Sequence, residues 1–251
     1  MNTDIFIVSI GRHFPYLDYA LRSIRKFATG FHGVHICIPE QDMEALTHLP
    51  GWMGNNDGSW AIHTFREWPE KGMLHHMYFE MIAPEFCPQS DLILHMDSDC
   101  LFTEPVTPDA YMMNGKPVLL YADYNWLEKQ QANLKMWQTA VRNALGWVPN
   151  FEFMRRHPAV HYHGVYAKAK ECIEAHTGKS MADYILSCRN DFPQTFAEYP
   201  LLGEIAWRFF HHQYHWIDQQ SEPWPHNPMR QAWSHRTPTE EDAKLWKELG
   251  L

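Results

Sequence analysis

The sequence predicts an α/β fold with a mostly parallel central sheet flanked by helices. Three observations carry that expectation. Short β-branched runs alternate with stretches of helical period through the first hundred residues. The run at 92–96 is apolar, as a strand covered on both faces must be, and it stops at two aspartates, Asp97 and Asp99. The chain is 251 residues long, 45% hydrophobic and only 20% charged, which allows a sizeable core and excludes a disordered chain.

The elements follow in order. Residues 5–10 read as a strand, broken by Gly11. Leu17, Ala20, Leu21, Ile24 and Phe27 recur at helical spacing, with Arg22, Arg25 and Lys26 off that stripe. A second strand at 34–38 ends at Pro39, and 50–59, PGWMGNNDGS, is a loop by its turn chemistry. A third strand spans 60–65. Leu74, Met77, Tyr78, Met81 and Ile82 mark a helix ending near Pro84, with His75 and His76 expected on its polar side. The strand at 91–96 comes next. The second half is less regular: a strand at 117–122, a helix on Leu134, Trp137, Val141 and Leu145 stopped by Gly146, and a short strand at 159–163. Helices at 167–176 and 201–210, a strand at 214–217 and a last helix opened by Thr239 and Asp242 complete it. Residues 221–238 are rich in Pro, Trp and His and have no period. Without a repeat, low-complexity segment or linker, a single domain over 1–251 is expected, with halves at about 1–105 and 106–251.

Composition narrows the function. A formal charge of −9 disfavours non-specific nucleic-acid binding. Five scattered cysteines with no CxxC suit a reduced, cytoplasmic setting. The opening MNTDIFIVSI lacks a basic region and reads as a strand rather than a signal peptide, and no apolar run approaches a membrane span.

The aspartates raise an electrostatic question, because like charges that close repel. They lie just past the carboxyl end of a buried strand, where α/β sheets bind ligands. In an extended segment residues i and i+2 point the same way, so both carboxylates would face one spot. A hard divalent cation wants such oxygens, and a bound diphosphate would complete its shell. The competing reading is a simple turn cap.

On the Asp97-Ser98-Asp99 triplet and the βα units before it, the chain resembles the GT-A glycosyltransferases, which use sugar nucleotides. The resemblance implies a Rossmann-like single domain whose first half binds the sugar nucleotide and whose second half binds the acceptor. It implies that Asp97 and Asp99 hold Mn²⁺ or Mg²⁺ on the diphosphate, with Asp97 and Ser98 beside the nucleotide. The stretch IVSIGRHFPYLDYALRSI resembles that fold's first strand and helix, so Ser9, Gly11 and Arg12 would line the nucleoside pocket, and Lys71, His75 or His76 would touch the donor. Gln231-Ala232-Trp233-Ser234-His235 resembles the tail motif of small bacterial and phage glycosyltransferases, which makes His235 the third metal ligand. Phe196-Ala197-Glu198-Tyr199 resembles their Ser-Glu-Tyr pattern, with Ala197 where serine is common. Glu198 is then the catalytic base if the reaction inverts, with Glu204 as the alternative. His161 and His163, alternating with apolar residues, would share a face toward sugar or acceptor, or pack.

The expected function is metal-dependent transfer of a sugar from a nucleoside diphosphate sugar, UDP-sugar favoured, to an acceptor hydroxyl. A glycan, a small molecule, a protein and a modified DNA base all remain open as acceptors, the last needing a basic face such as Arg142, Arg155, Arg156 and Lys168. The alternatives are a haloacid-dehalogenase-type phosphatase and a non-catalytic nucleotide-sugar-binding module. The phosphatase motif normally sits on the first strand and is followed by a small β-branched residue, whereas here several strands precede it and Cys100 follows.

Overall fold

The computed structural model describes residues 1–52, 59–66, 71–130, 135–155, 157–190, 195–222, 225–233 and 238–251. In chain order the strands are β1 (Thr3–Val8), β2 (Gly33–Pro39), β3 (Trp60–Phe65), β4 (Leu92–His95), β5 (Cys100–Phe102), β6 (Met112–Met113), β7 (Lys116–Asp123), β8 (Phe151–Glu152), β9 (Ala159–Tyr162), β10 (His215–Asp218) and β11 (Met229–Gln231). The α-helices are α1 (Phe14–Phe27), α2 (Met43–Thr47), α3 (Gly72–Met81), α4 (Tyr124–Gln130), α5 (Lys135–Leu145), α6 (His163–Thr177), α7 (Met181–Ser187), α8 (Glu198–Phe209) and α9 (Glu240–Glu248). The fold is α/β with a mostly parallel central sheet flanked by helices, as expected. The residues group into two units: Met1–Glu67 with Phe86–Tyr111 and Pro225–Leu251, and Trp68–Glu85 with Met112–Trp224. Where the sequence suggests halves at 1–105 and 106–251, residue contacts thus group 225–251 with the first and 68–85 with the second.

The first unit is built on parallel strands in the order β3-β2-β1-β4. Ile5 of β1 stands opposite Val34 of β2 and Leu94 of β4. All six residues of β1 are buried, so this strand is covered on both faces and its Val/Ile-rich run needs no alternation. Helix α1 starts with proline in its first turn and ends with Arg25 and Lys26, where cations suit the helix dipole. Its Leu17, Ala20, Leu21 and Ile24 are buried, each larger side chain stabilising the fold by about 1.5–3 kcal/mol. Ser23 Oγ of α1 accepts the amide of Phe102 at 3.0 Å, which ties α1 to β5. Trp246 of α9 stacks on Tyr19 of α1 at 3.8 Å between ring centres.

One polar residue is buried inside β1. Asp4 is 1% exposed, and it accepts from His32 Nδ1 at 2.8 Å and meets His35 Nε2 at 3.2 Å. Burial alone would raise its carboxyl, but hydrogen bonds and charge from the two histidines outweigh it and hold it below the usual carboxylate value.

The second unit centres on β7, paired parallel with β10 and antiparallel with β6 and β8. Helices α5, α6 and α8 pack on one another, burying Val141, Val165, Ile173, Leu201 and Leu202. Gly203 permits the approach of α8 to the chain after β8, because a Cβ there would fall 2.2 Å from Phe153 Cβ. Around Trp207 stand the rings of Tyr121, Phe151, Phe153 and Trp216, with centres 4.8–6.1 Å away.

Several elements differ from the sequence reading. The strand at 159–163 stops at Tyr162, and His163 opens α6. His161 and His163 therefore do not share a strand face; His161 is buried, 3.3 Å from the Tyr214 hydroxyl. Residues 221–238, read as aperiodic, contain β11. A three-residue antiparallel strand is too short to print a period.

Candidate functional site at the carboxyl edge of the parallel sheet

Strand β1 lies between β2 on one side and β4 on the other, so the connections depart from it in opposite directions. In open α/β sheets, the carboxyl ends at such a reversal are where ligands usually bind. The segments leaving β1, β2 and β4 all emerge on this edge. After β1 the chain turns through a short 3-10 helix, Gly11–His13, into α1. The Gly11 amide donates to Asp42 Oδ2 at 2.7 Å, and a Cβ at Gly11 would lie 2.8 Å from Asp42 Oδ1. Glycine lets the Asp42 carboxylate close on the turn without moving. Ser9 is fully buried, with its Oγ lacking a hydrogen-bond partner among the described residues, while Arg12 is exposed and its Nε lies 3.3 Å from His13 Nε2.

After β4 the pairing continues one residue further, with the Met96 amide on Phe6 carbonyl at 3.1 Å. The chain then folds into a turn, in which the Cys100 amide donates to the Asp97 carbonyl at 2.9 Å. Here the sequence reading needs correction. The carboxylates do not converge because an extended segment points i and i+2 alike. They converge because a turn brings them together. Asp99 is 7% exposed and Asp97 half-buried, and oxygens of both lie within 4.8 Å of each other and of Cys100 Sγ. Ser98 is buried in the same turn. Burial, and then the charges of Asp97 and Asp99, push the Cys100 thiol well above its ordinary value. The two carboxylates offer oxygen ligands, and an oxygen pair suits a hard cation.

The C-terminal segment returns to this turn. Strand β11 pairs antiparallel with β5, placing Gln231 opposite Cys100, and the Ala232 amide donates to the Asp99 carbonyl at 2.8 Å. Gln231 Nε2 then reaches Asp99 Oδ1 at 3.2 Å and Asp97 Oδ2 at 3.4 Å. One neutral amide thus bridges both carboxylates. Trp233 follows in the left-handed region, φ 61°, and is 53% exposed. A bulky residue held there costs about 1–2 kcal/mol, and such strain gathers at functional sites. Ser234 and His235 lie outside the described residues, so the proposed third ligand has only its neighbours placed.

The remaining candidates belong to the second unit. Lys71 precedes α3 and donates to the Cys188 carbonyl at 3.2 Å. His75 is 2% exposed and packs on Phe79, not on a polar side, because α3 buries residues all round: Leu74, His75, Met77, Phe79, Glu80 and Met81. Burial, helped by neighbouring His76, lowers its pKa to about 4. His76 Nε2 lies 3.3 Å from Glu80 Oε1, which also accepts the Tyr199 hydroxyl at 2.7 Å. Glu198 is the first residue of α8, 5% exposed, where the helix dipole favours its charge. Glu204 lies a turn and a half further on. It accepts from Trp147 Nε1 at 2.7 Å and meets Arg208 Nε at 3.3 Å, and burial raises its pKa.

Two residues of the edge escaped the sequence reading. Gln231 was visible only as the first letter of the Gln-Ala-Trp-Ser-His stretch. Asp42 carries no local signal, since it meets Gly11 only through the parallel pairing of β1 and β2. The chain matches no protein-family model and no curated protein. Among the described residues no helix is long and apolar enough to cross a membrane.

Proposed function

We propose that the protein is a metal-dependent glycosyltransferase of the GT-A kind, using a nucleoside diphosphate sugar, UDP-sugar favoured. The observation that supports this most is the closure of β11 on β5, which sets Gln231 against Asp97 and Asp99 at the carboxyl edge beside β1. The oxygen donors fit Mn²⁺ or Mg²⁺: two adjacent carboxylates, one mostly buried. Bound there, the ion would neutralise a diphosphate leaving group. Asp97 and Asp99 would hold it, His235 would join them, and Gln231 keeps the carboxylates in register. Ser9, Gly11 and Arg12 stand where the segment after β1 would meet the nucleoside, with Asp42 fixing its turn.

For the acceptor proton, Glu198 is the better assignment. Glu198 sits at a helix N-terminus, where the dipole favours its charged, proton-accepting form. The acceptor hydroxyl, on a glycan, a small molecule, a protein or a modified DNA base, belongs to the same proposal.

The test is a thermal-shift panel of nucleoside diphosphates and their sugars, with and without Mn²⁺. At saturating nucleotide the expected rise is roughly 5–10 °C. It should need metal and disappear in Asp99→Ala. Stabilisation indifferent to both metal and Asp99, or steady hydrolysis of simple phosphate monoesters, would overturn the reading.

A further inference from the structure

We propose a second metal site, for a zinc-like ion, at the opposite end of the first unit's sheet, formed by Asp4, His35 and Cys87. Asp4 lies near the amino end of β1 and His35 on the adjacent β2, with Asp4 opposite Gly33 in register. One donor atom of each of the three residues lies within 4.8 Å of the others. The Asp4 Oδ2 to His35 Nε2 separation is 3.2 Å. Two ligands held at about 2.0 Å by a tetrahedral ion are about 3.3 Å apart, so this edge of the polyhedron is already set. Cys87 contributes a buried free thiol from the segment before β4.

Three further features point to an ion and not merely to a hydrogen-bonded cluster. The first is space. Gly33 has no side chain, and a Cβ there would fall 3.0 Å from both Asp4 Oδ1 and His35 Nε2. The second is access, through a groove of about 480 Å³ lined by Asp4, His32, His35, Phe86 and Gln89 among others. The third is the shell behind the ligands. His35 Nδ1 lies 3.0 Å from His63 Nε2, with the rings stacked. When His35 Nε2 gives its lone pair to a metal, its proton moves to Nδ1, and His63 accepts it. Metal-bound histidines are commonly oriented in this way. His32, 2.8 Å from Asp4 Oδ1 at the groove's rim, is placed to take the fourth position or to steady Asp4.

The donors differ in kind from those of Asp97 and Asp99. Thiolate, imidazole and carboxylate together select Zn²⁺ or Co²⁺, whereas carboxylates alone suit Mg²⁺ or Mn²⁺. The chain would then carry two ions of different hardness on opposite edges of one sheet. This inference does not depend on the proposed transferase activity.

Co²⁺ titration of the chelator-treated full chain tests it. The expected result is a thiolate-to-cobalt charge-transfer band with four-coordinate visible bands, saturating at one equivalent and displaced by Zn²⁺. The band should vanish in Cys87→Ser, survive in Asp97→Asn and Asp99→Asn, and persist in His63→Leu with affinity about 10–100-fold weaker. A folded wild type without the band would overturn the site. So would a band that survives in Cys87→Ser, or one lost in Asp99→Asn, which would assign it to Cys100. Should Cys87→Ser fail to fold, His35→Gln and the wild-type titration still decide.

Discussion

Gln231 helps to make the aspartate pair tolerable in its turn. Its amide donates to both carboxylates, so each has a partner besides the other negative charge. Gln231→Leu keeps the volume and removes both bonds. Its unfolding free energy in chelator should fall by about 1–2 kcal/mol, the net worth of the two hydrogen bonds removed. Mn²⁺ should recover part of that deficit, because the ion supplies the charge the amide was offsetting. Urea midpoints with and without metal measure this, and a deficit that metal leaves untouched would count against a cation at Asp97 and Asp99. At the same scale, Asp99→Ala should remove metal-dependent nucleotide binding altogether. The convergence of the aspartates was legible in the sequence, but its cause was not. An i, i+2 spacing looks identical in a strand and in a turn, and only the Cys100 amide on the Asp97 carbonyl distinguishes them.

Helix α8 shows how one position governs an element. Gly203 faces Phe153, and an added methyl would sit 2.2 Å from the Phe153 Cβ. Alanine is intrinsically the better helix former by about 1 kcal/mol, yet the clash should win. Gly203→Ala is expected to destabilise by about 1–3 kcal/mol net, read from its urea midpoint. Helix α9 offers the opposite case, a local signal that reports truly. Thr239 and Asp242 form a reciprocal capping box, as their spacing suggested. Thr239→Ala should cost about 1 kcal/mol, and Thr239→Ser almost nothing, by the same measurement. Helices α1 and α5 could be read from sequence by their apolar period, and the strands β1 to β4 by their short β-branched and apolar runs. Strand β11 could not, since its existence depends on β5 and not on its own letters. The helices α2, α4 and α7 span only five to seven residues each, too few turns to print a stripe.

For the molecule as a whole, the buried histidine of α3 links stability to pH. The pKa of His75 falls from 6.5 to about 4 on folding, for burial disfavours its charge. The folded state therefore binds fewer protons than the unfolded chain in that window. Its contribution is fully present above pH 6.5 and is lost as pH falls toward about 4. Urea midpoints should decline across that interval, and His75→Leu should flatten the slope whatever it does to the level. An unchanged slope would mean other groups carry the dependence. The parallel sheet was within reach of the sequence, because its runs and helix periods indicate it. The grouping of 225–251 with the first unit was not, for no local pattern announces a partner so distant.

That distance has a temporal consequence. Asp99 and Gln231 are separated by 132 positions. During synthesis the aspartate turn leaves the ribosome long before the strand that completes it, and contacts of such long range form late. A nascent chain that ends before β11 would carry the β1 to β4 strands and still lack the partner of the aspartate turn. Synthesis through β11 would thus be a condition of the proposed metal site. In pulse-labelled refolding, amide protection at Ala232 should be among the last to appear.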